Sequence, residues 1–555
     1  MRDSAPTPGR LHRRQFQQVS LAAVGHALTR WAAPVSGGLG SLAGVCRRPA
    51  ARAGQPAADE APAAPAVVTS ERNRPQAVWG VASGDVSSDS AILWSRTDRP
   101  AEMIVEYATT ESMHDARRVR GPAALAASDF TVKLQLRGLP AGERIWYRVT
   151  FRDLADARYE SEPVVGSFFT PPLERRNLRL AWSGDTAGQG WGIDVARGGM
   201  RSYATILERE PHVFLHSGDT IYADNPIPPQ VALDDGTVWR NLVTPETSVV
   251  AQSLADYRGR FRYNLLDENV RRFNAHVAQI VQWDDHETTN NWYPGESLRR
   301  DARYRVHSAS LLAAWARRAM FEYVPIRESL RAPQRIYRVQ RLGPSLDLFV
   351  LDQRSYRGPN SPNRQSQRGP DTALLGDRQL AWLKRQLRRS RATWKIIAAD
   401  MPIGLIVRDD VGFENVANGP GPPLGRELEL ADLLAFMQRE QIRNVVWLTA
   451  DVHYAAAHYY DPAVAQFGQF DPFWEFVAGP LHAGTFGPNE LDDTFGPQVR
   501  FQSVEPGMKG NRPPSEGLQF FGTLDLEGAS EVLTVGLYNV AGERLYQVEL
   551  PPVRA

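Results

Sequence analysis

Apolar runs of strand length alternate with amphipathic helical patterns along most of the second part of the chain. From residue 179 onward, the strand-like runs include LRLAWS, HVFLHS, AQIVQW, LDLFVL, WKIIA and VVWLT. Between them lie helical stretches such as SASLLAAWARRAMFEY and LGDRQLAWLKRQLRRS. Strands that alternate with helices are typical of a layered α/β domain, which we predict over residues 172–555. The alternating pattern after about Gly517 predicts a hairpin that completes the second sheet of this domain.

The pattern between residues 76 and 171 is different. AVWGVASGD, SAILWSRT, MIVEYATT, FTVKLQLRGL, RIWYRVTF and VVGSFFTPP are short runs of β-branched and aromatic residues that end at turn residues. In FTVKLQLRGL the apolar and polar residues alternate, which is typical of a half-buried strand. Regularly spaced strands without a long helical pattern predict a β-sandwich of immunoglobulin or fibronectin type. We expect this region to serve in packing or in shaping the substrate cleft.

The first 47 residues have features of an export signal. Arg13 and Arg14 lie in the run LHRRQFQQ, which precedes the mildly apolar stretch VSLAAVGHAL. This order resembles a bacterial twin-arginine signal, which predicts the twin-arginine export machinery as a partner and a periplasmic or secreted location. The alternative is a disordered basic tail. Residues 48–75 are rich in Ala and Pro and are predicted to form a linker.

Composition excludes several classes of protein. The 64 Lys and Arg residues against 63 Asp and Glu residues give a net charge of +1, whereas a general nucleic-acid-binding protein carries a clear basic excess. Cys46 is the only cysteine, so the chain has no internal disulfide and no cysteine-rich zinc site. After the first fifty or so residues no apolar run is long enough to span a bilayer. We therefore expect a globular protein without stable membrane insertion.

Acidic residues follow six of the strand-like runs. In chain order they are Asp185, Asp219, Asp284 with Asp285, Asp352, Asp400 and Asp451. Polar residues at the carboxyl ends of strands line a shared crevice in α/β domains. A single aspartate there is a common turn residue or helix cap, but burying so many carboxylates together is too costly unless cations neutralise them. The sequence therefore predicts a site for more than one metal ion.

The order of these residues matches what a dinuclear phosphoesterase requires. Such a site takes a carboxylate after the first strand, a bridging carboxylate after the second, an oxygen ligand beside a histidine after the third, and ligands from two later strands. The corresponding residues here are Asp185, Asp219, Asp285 beside His286, Asp400, and Asp451 with His453. Tyr222 follows Asp219 by three residues, a spacing suited to reaching the same ion. A phenolate favours a hard trivalent cation such as Fe³⁺, and the other oxygen ligands favour Ca²⁺, Mn²⁺ or Mg²⁺ over zinc.

Six motifs in this region are similar to those of a known family. They are SGDTAGQGWG, HSGDTIYAD, QWDDHETTNNW, LDQRSYR, ADMPIGL and TADVHYAAAHYYDP. Together they resemble the PhoD-type alkaline phosphatase/phosphodiesterases, a purple-acid-phosphatase-like branch of the metallophosphoesterases, from about Gln76 to the C-terminus. The resemblance implies an αββα metallophosphoesterase sandwich behind the N-terminal β-sandwich. It also implies an exported enzyme with an Fe³⁺ centre and calcium ions that hydrolyses phosphate mono- and diesters.

The resemblance also implies a set of ligands for each ion. The iron-type ion would be held by Asp185, Asp219, Tyr222 and His453. The second ion would be held by Asp219, Asp285, Asp400 and Asp451. Some members of the family carry a cysteine in the first metal loop, where this chain reads SGD. Without a thiolate at that position, the assignment of iron depends on Tyr222.

The expected chemistry is hydrolysis by activated water. We expect the paired ions to bind a hydroxide that attacks phosphorus in line, while the second ion neutralises charge on the phosphoryl oxygens. His286 is placed to stabilise or protonate the leaving alkoxide. Arg354 and Arg262 are candidates to clamp the phosphate through bidentate hydrogen bonds, although an ion pair within the protein is the reading we favour for each. The chain contains no motif for a covalent nucleophile, such as GxSxG or a P-loop lysine.

Two other functions are compatible with these features. One is a phospholipase D-type phosphodiesterase that uses the same metal site. The other is a non-catalytic surface binding protein whose metals are structural and whose β-sandwich recognises the ligand. The leading prediction is a metal-dependent phosphoric ester hydrolase that acts on a small phosphate mono- or diester.

Overall fold

Two large β-sheets face each other at the centre of the computed structural model, which describes residues 70–410 and 412–554. Apolar side chains from both sheets meet between them. They include Trp182, Leu348 and Leu448, which are fully buried. The predicted export signal, residues 1–47, and most of the predicted linker lie outside the described residues.

The first sheet has nine strands. They are β1 (Val81–Ser87), β2 (Ser90–Arg96), β5 (Thr131–Arg137), β8 (Leu178–Ser183), β9 (Val213–Ser217), β12 (Ala278–Gln282), β22 (Phe520–Leu526), β23 (Leu533–Asn539) and β24 (Arg544–Leu550). Their order across the sheet is β24-β23-β22-β8-β9-β12-β1-β2-β5. Strands β8, β9, β12 and β1 are parallel, so their carboxyl ends lie at one edge of the sheet.

The second sheet has seven strands. They are β13 (Arg338–Arg341), β14 (Leu346–Val350), β15 (Trp394–Ala398), β18 (Val445–Thr449), β19 (Ala456–Tyr460), β20 (Phe473–Val477) and β21 (Pro497–Gln502). Their order is β13-β14-β15-β18-β20-β19-β21, and β14, β15, β18 and β20 are parallel. Each of the two sheets thus contributes a row of parallel strands to the centre of the molecule.

Helices cover the outer faces of both sheets. They are α1 (Arg201–Leu207), α2 (Leu254–Asn264), α3 (Glu268–His276), α4 (Ala309–Tyr323), α5 (Gly376–Arg389) and α6 (Glu427–Arg439). Apolar residues of α1–α4 pack in one core outside the first sheet, and those of α5 and α6 pack in another outside the second. The two helices predicted from the sequence correspond to α4 and α5. Within the described residues, no helix combines the length and the apolar character needed to cross a membrane.

A smaller β-structure lies at the N-terminal side. Its four-stranded sheet, in the order β4-β3-β6-β7, consists of β3 (Ala101–Ala108), β4 (Arg117–Ala124), β6 (Arg144–Asp153) and β7 (Val164–Phe169). Apolar residues of this sheet pack against β1, β2 and β5 in a shared core. The second layer of this sandwich is therefore the end of the nine-stranded sheet, which continues through the parallel contact of β1 with β12.

Three further details complete the topology. Two short hairpins are formed by β10 (Gln230–Ala232) with β11 (Val238–Arg240) and by β16 (Arg408–Asp409) with β17 (Gly412–Phe413). The segment after Gly517 forms the three strands β22–β24 and extends the nine-stranded sheet next to β8. The prediction of a hairpin in the second sheet was wrong at this point, because alternation specifies a half-buried strand but not the strand that it joins.

The buried carboxyl of Glu427, at the start of α6, gives a testable pH dependence. Burial, reinforced by the nearby Asp492, raises the pKa of Glu427 from 4.5 to about 9. A carboxyl whose pKa is raised by folding stabilises the protein at low pH and loses that contribution as pH rises from 4.5 towards 9. We expect Glu427→Gln, whose amide oxygen can still accept from Asn418 and Leu424, to gain about 3–4 kcal/mol of unfolding free energy over wild type between pH 5 and pH 8.

Urea unfolding at several pH values measures this difference. The exposed Glu505→Gln is the matched control and should follow the wild-type pH dependence. A constant difference between Glu427→Gln and wild type across this pH range would contradict the prediction.

Candidate metal centre

The carboxyl ends of six parallel strands, three from each large sheet, meet at one site. The residues that follow these strands are Asp185 after β8, Asp219 after β9, Asp284 and Asp285 after β12, Asp352 and Arg354 after β14, Asp400 after β15, and Asp451 and His453 after β18. All of these side chains are buried except that of Asp451, which is 12% exposed. The face-to-face sheets therefore bring together residues from Asp185 to His453, which are about 270 positions apart in the chain.

Several of these residues adopt a backbone conformation that is unusual outside glycine. The φ angles of Asp185, Asp219, Asp451 and His453 are 67°, 52°, 66° and 62°. Such left-handed residues are uncommon, and they concentrate where a loop must direct a side chain into a functional site. The turn before Asp219 is equally tight, because a Cβ on Gly218 would lie 2.5 Å from the Cβ of Asp284. The loops are thus shaped to aim these side chains inward.

Three groups of ligand atoms are close enough to hold metal ions. Within each group the candidate atoms lie within 4.8 Å of one another. The groups are Asp185 with Asp219 and His453, Asp219 with Asp285 and His286, and Asp284 with Asp285 and Asp451. Asp219 and Asp285 each belong to two groups, as expected for carboxylates that lie between neighbouring ions.

The hydrogen bonding of the carboxylates fits bound cations. Within the described part of the chain, both carboxylate oxygens of Asp400 are buried without a hydrogen-bond partner, and so are Oδ2 of Asp185 and Oδ2 of Asp284. A buried carboxylate oxygen without a donor is costly, and a metal ion compensates it. Because most of the donor atoms are carboxylate oxygens, the site suits hard cations.

Tyr222 lies beside the first of these groups. Its hydroxyl is 2.8 Å from Nε2 of His453, and that nitrogen is 3.4 Å from Oδ1 of Asp185. The other ring nitrogen, Nδ1, donates to the carbonyl of Gly484 at 2.5 Å, which leaves Nε2 as the atom that faces the site. Burial, followed by the charges of Asp219 and Asp185, raises the pKa of Tyr222 well above 10. Without a cation, Tyr222 is therefore a neutral phenol that donates to His453.

The ring of Tyr222 packs directly on the backbone of Gly188. A Cβ at residue 188 would lie 2.5–2.7 Å from three ring atoms of Tyr222, closer than real contacts allow. We expect Gly188→Ala to displace the phenol and to lower occupancy of the first ion while the protein remains folded. Elemental analysis after dialysis measures the occupancy.

Gly369→Ala is the matched control, because a Cβ there meets no atom within 4 Å. Equal metal content in the two variants would show that the position of the phenol does not affect the first ion.

The histidine after β12 is held by an aspartate that the sequence analysis did not single out. Nδ1 of His286 is 2.7 Å from Oδ1 of Asp224, its ring lies 4.3 Å from that of Tyr222, and its backbone N–H donates to Oδ1 of Asp219. Burial alone would lower the pKa of His286, but Asp224, Asp285 and Asp219 outweigh it and raise the pKa well above 6.5. The imidazole is thus oriented and favours its protonated form.

Arg354 lies beneath the carboxylates. Its side chain is 0% exposed, and its guanidinium contacts Asp284 and Oε1 of Glu414. The same guanidinium lies 3.5–4.0 Å from carboxylate oxygens of Asp285, Asp400 and Asp451. The guanidinium is therefore surrounded by carboxylates of the protein.

Arg262 does not join this cluster. Its guanidinium pairs with Asp129 at 2.5 Å and with Glu246 at 2.8 Å, both outside the six strand ends. Both arginines thus form ion pairs within the protein, Arg354 fully buried and Arg262 partly exposed.

Two acidic residues missing from the predicted site hold its parts together. The carboxylate of Glu287 accepts backbone N–H groups from Asp219, Thr220 and Asp284, at 2.6–3.1 Å, and so connects the loops after β9 and β12. Glu287 follows His286 directly in WDDHE, and its position beside the motif was the available signal. Glu414 lies in a loop after β17 with no strand-end pattern, and nothing in the sequence distinguished it.

Comparison with known proteins identifies two family models that together match most of the described residues. The family model for the PhoD-like phosphatases matches residues 180–537, and the model for the N-terminal domain of PhoD-like phosphatases matches residues 61–172. Alkaline phosphatase D of Bacillus subtilis strain 168 is 26% identical over 400 residues, which cover 67% of this chain and 64% of that protein. The chain thus spans slightly less than two thirds of the length of this curated relative.

Solved structures show the same fold. A structure of PhoD superposes with a TM-score of 0.62 at 21% identity and covers 85% of this chain and 88% of that one. The purple acid phosphatase PPD1 of yellow lupin superposes with a TM-score of 0.52 at 13% identity, over 86% of this chain and 74% of that one. The predicted fold class, an αββα sandwich with an N-terminal β-rich region, is confirmed, and so is the resemblance seen in the sequence motifs.

Proposed function

Because the chain belongs to the PhoD-like phosphatase family, we propose that it hydrolyses phosphate esters at the cluster of buried carboxylates, with cations bound there. The observation that carries this proposal is that Asp219 belongs to two groups of ligand atoms at once. A carboxylate shared in this way holds two cations close together, which is the arrangement that phosphoryl transfer by paired metals requires.

We propose a division of the residues between two ions, supported by the grouping of Asp185 with Asp219 and His453 and by the position of Asp285 beside both Asp219 and Asp451. We assign the first ion to Asp185, Asp219, Tyr222 and His453. We assign the second ion to Asp219, Asp285, Asp400 and Asp451. When bound, such ions lower the pKa of water and neutralise negative charge on the phosphoryl group.

His286 has the surroundings of a proton donor to the leaving alkoxide. Its hydrogen bond to Asp224 fixes the ring and stabilises the imidazolium form. The ring also packs on Tyr222, so it lies next to the first group of ligands. We propose that Asp224 acts through His286, as the group that positions it and keeps it protonated.

The side chains favour particular metals. The phenol of Tyr222, next to carboxylates and one histidine, suits Fe³⁺ in the first position, whereas the all-carboxylate second set suits Ca²⁺, with Mn²⁺ or Mg²⁺ as alternatives. The first loop has Ser183 and Asp185 where a thiolate would otherwise stand, so the phenol is the group expected to select iron.

Elemental analysis and visible absorption of the purified protein test this assignment. We expect iron and calcium, together with a tyrosinate-to-Fe³⁺ absorption band that is lost in Tyr222→Phe. Tyr304→Phe is the matched control, because Tyr304 is also buried but donates to Thr289 outside the ligand groups. A colourless, iron-free and fully active protein would refute the iron assignment and leave the carboxylate site in place.

A panel of substrates tests the reaction itself. We expect hydrolysis of p-nitrophenyl phosphate or bis(p-nitrophenyl) phosphate that is abolished by chelation and restored by added metal. Faster cleavage of the headgroup bond of phosphatidylcholine would instead select the phospholipase D-type activity. Ligand binding without any ester hydrolysis would select a non-catalytic binding protein.

A further inference from the structure

A pocket lined with arginines lies beside the N-terminal β-structure. Its volume is about 580 Å³, and it is bounded by the turn between β1 and β2, the end of β5, strand β13 and the loop that precedes β13. None of the candidate metal ligands lines it. The five arginines that do are Arg137, Arg327, Arg335, Arg338 and Arg341. We call this cavity the arginine pocket.

Most of these guanidiniums have no acidic partner. Arg338 pairs with the buried Asp85 at 2.8 Å. Among residues 70–410 and 412–554, no carboxylate oxygen lies within 4.0 Å of the guanidinium groups of the other four arginines. Many other arginines of this chain do form such pairs, as Arg262 and Arg354 show. Three carboxylates, those of Asp85, Asp89 and Glu328, also line the pocket, so the five arginines leave it with a net positive charge.

Two of the guanidiniums are close enough to oppose each other electrostatically. Burial lowers the pKa of Arg327 and the nearby Arg137 lowers it further, whereas Asp85 and Asp89 counteract these effects. Like charges held together in a concave site attract an anion, because the low-dielectric walls concentrate the field.

The inner wall of the pocket is rigid. Nη2 of Arg327 donates to the carbonyl of Asp85 at 2.9 Å and to Oγ of Ser90 at 3.0 Å. Arg338 donates to the carboxylate of Asp85 and, through Nη1, to the carbonyl of Val281 at 3.1 Å. Arginines fixed in this way are preorganised, so little conformational entropy is lost when they bind an oxyanion.

The pocket lies at the same edge of the nine-stranded sheet as the carboxylate cluster. Strand β1 is parallel to β12, and β5 runs in the same direction because both are antiparallel to β2. The carboxyl ends of β1 and β5, at Ser87 and Arg137, therefore lie on the edge where Asp285 follows β12. The end of β1 is next to β12, whereas Arg137, at the end of β5, lies three strands from β12, or about 14 Å at the usual strand spacing.

We propose that the arginine pocket binds a second anionic group, a phosphate or a carboxylate, of a substrate whose ester is cleaved at the carboxylate cluster. This inference rests on the proposed function for the cleavage step. The guanidinium groups match the planar geometry and charge of such oxyanions and bind them through bidentate hydrogen bonds. Substrates with two separated negative groups are then preferred over those with one.

Kinetics with linear alkanediol bisphosphates of increasing chain length test the proposal. The variant replaces the three arginines that do not bond to Asp85, as Arg137→Ser/Arg335→Ser/Arg341→Ser. We expect one chain length to give the lowest KM in wild type. In the triple variant that KM should rise at least tenfold, with kcat and the KM for p-nitrophenyl phosphate unchanged.

The control variant removes the same charge elsewhere, as Arg117→Ser/Arg385→Ser/Arg389→Ser, from exposed positions on β4 and α5. It should retain the preferred chain length. Equal KM changes for one-phosphate and two-phosphate substrates, or the same change in the control variant, would overturn the proposal.

A binding measurement separates this proposal from the proposed function. Calorimetric titration of the chelator-treated full chain with tripolyphosphate needs no hydrolysis and no metal. We expect binding to wild type and to the control variant, and at least tenfold weaker binding to the triple variant. Equal binding to all three proteins would refute the arginine pocket, whatever the protein hydrolyses. If only the hydrolysis of every ester failed while this difference in binding remained, the proposed function would fall instead.

Discussion

Asp219→Asn is expected to lower kcat/KM for phosphate ester hydrolysis by about 1,000-fold or more, the size of effect seen when a central charge-stabilising group is removed. Asp219 contributes to two groups of ligand atoms. The amide of asparagine offers one weakly basic oxygen in place of the two negatively charged oxygens of the carboxylate. One neutral oxygen cannot hold two cations. Both ions should therefore be depleted in the variant, which elemental analysis measures directly.

The same substitution should leave the fold intact. Asparagine tolerates the left-handed conformation that residue 219 adopts, with φ at 52°, and its side-chain oxygen can still accept from the backbone of His286. In the absence of metal, the change also removes one negative charge from a crowded buried cluster. We therefore expect chelator-treated Asp219→Asn to unfold at a temperature at least as high as that of the chelator-treated wild type.

The exposed Asp235→Asn is the matched control, because it removes the same charge from a surface turn. It should keep both its activity and its metal content. If Asp219→Asn lost activity but retained both ions, the shared carboxylate would have a role other than holding the pair. If it lost its fold, the loss of activity would carry no information about the ions, and the unfolding temperature distinguishes these outcomes.

The sequence was sufficient to predict the strand ends but not how the side chains beneath them are arranged. Asp185, Asp219, Asp285, Asp400 and Asp451 could be found because each follows an apolar run, and the carboxyl ends of parallel strands meet at one edge of a sheet. Their convergence needs only the αββα topology. The role of each residue as a ligand remains a proposal that the variants above test.

Contacts that cross between distant loops could not be predicted in this way. Glu414 reaches Arg354 from a loop 60 positions further along the chain, and Asp224 reaches His286 across 62 positions. Neither pairing follows a periodic pattern, because tertiary packing alone brings these loops together. The contact of β1 with β12 was also beyond the sequence, since the strand pattern of the N-terminal region does not reveal which sheet its strands join.

Arg354→Ala is the second variant with a large expected effect. Removing the guanidinium leaves the buried Asp284 without its partner and leaves Glu414 with only the more distant Arg357, at 3.8 Å. It also removes the guanidinium that lies 3.6–4.0 Å from Asp400 and Asp451. Breaking a buried ion pair in this way costs about 3–5 kcal/mol. We expect the unfolding free energy of the metal-free protein to fall by that amount.

Bound cations should then restore part of the loss. Because a metal ion next to Asp285 and Asp451 supplies positive charge at nearly the same place, Ca²⁺ should stabilise Arg354→Ala more than it stabilises wild type. Denaturant unfolding with and without Ca²⁺ measures this difference. The exposed Arg389→Ala is the matched control, and Ca²⁺ should stabilise it as much as wild type.

A second variant identifies Glu414 as the partner. Adding Glu414→Gln to Arg354→Ala removes one of the stranded carboxylates, so the double variant should be more stable than Arg354→Ala alone. If Arg354 acted on the substrate instead, its loss would raise KM and leave metal-free stability and the response to Ca²⁺ unchanged. Because the guanidinium is fully buried among carboxylates, we expect the opposite pattern: large changes in stability and in cation binding that are present before any substrate is added.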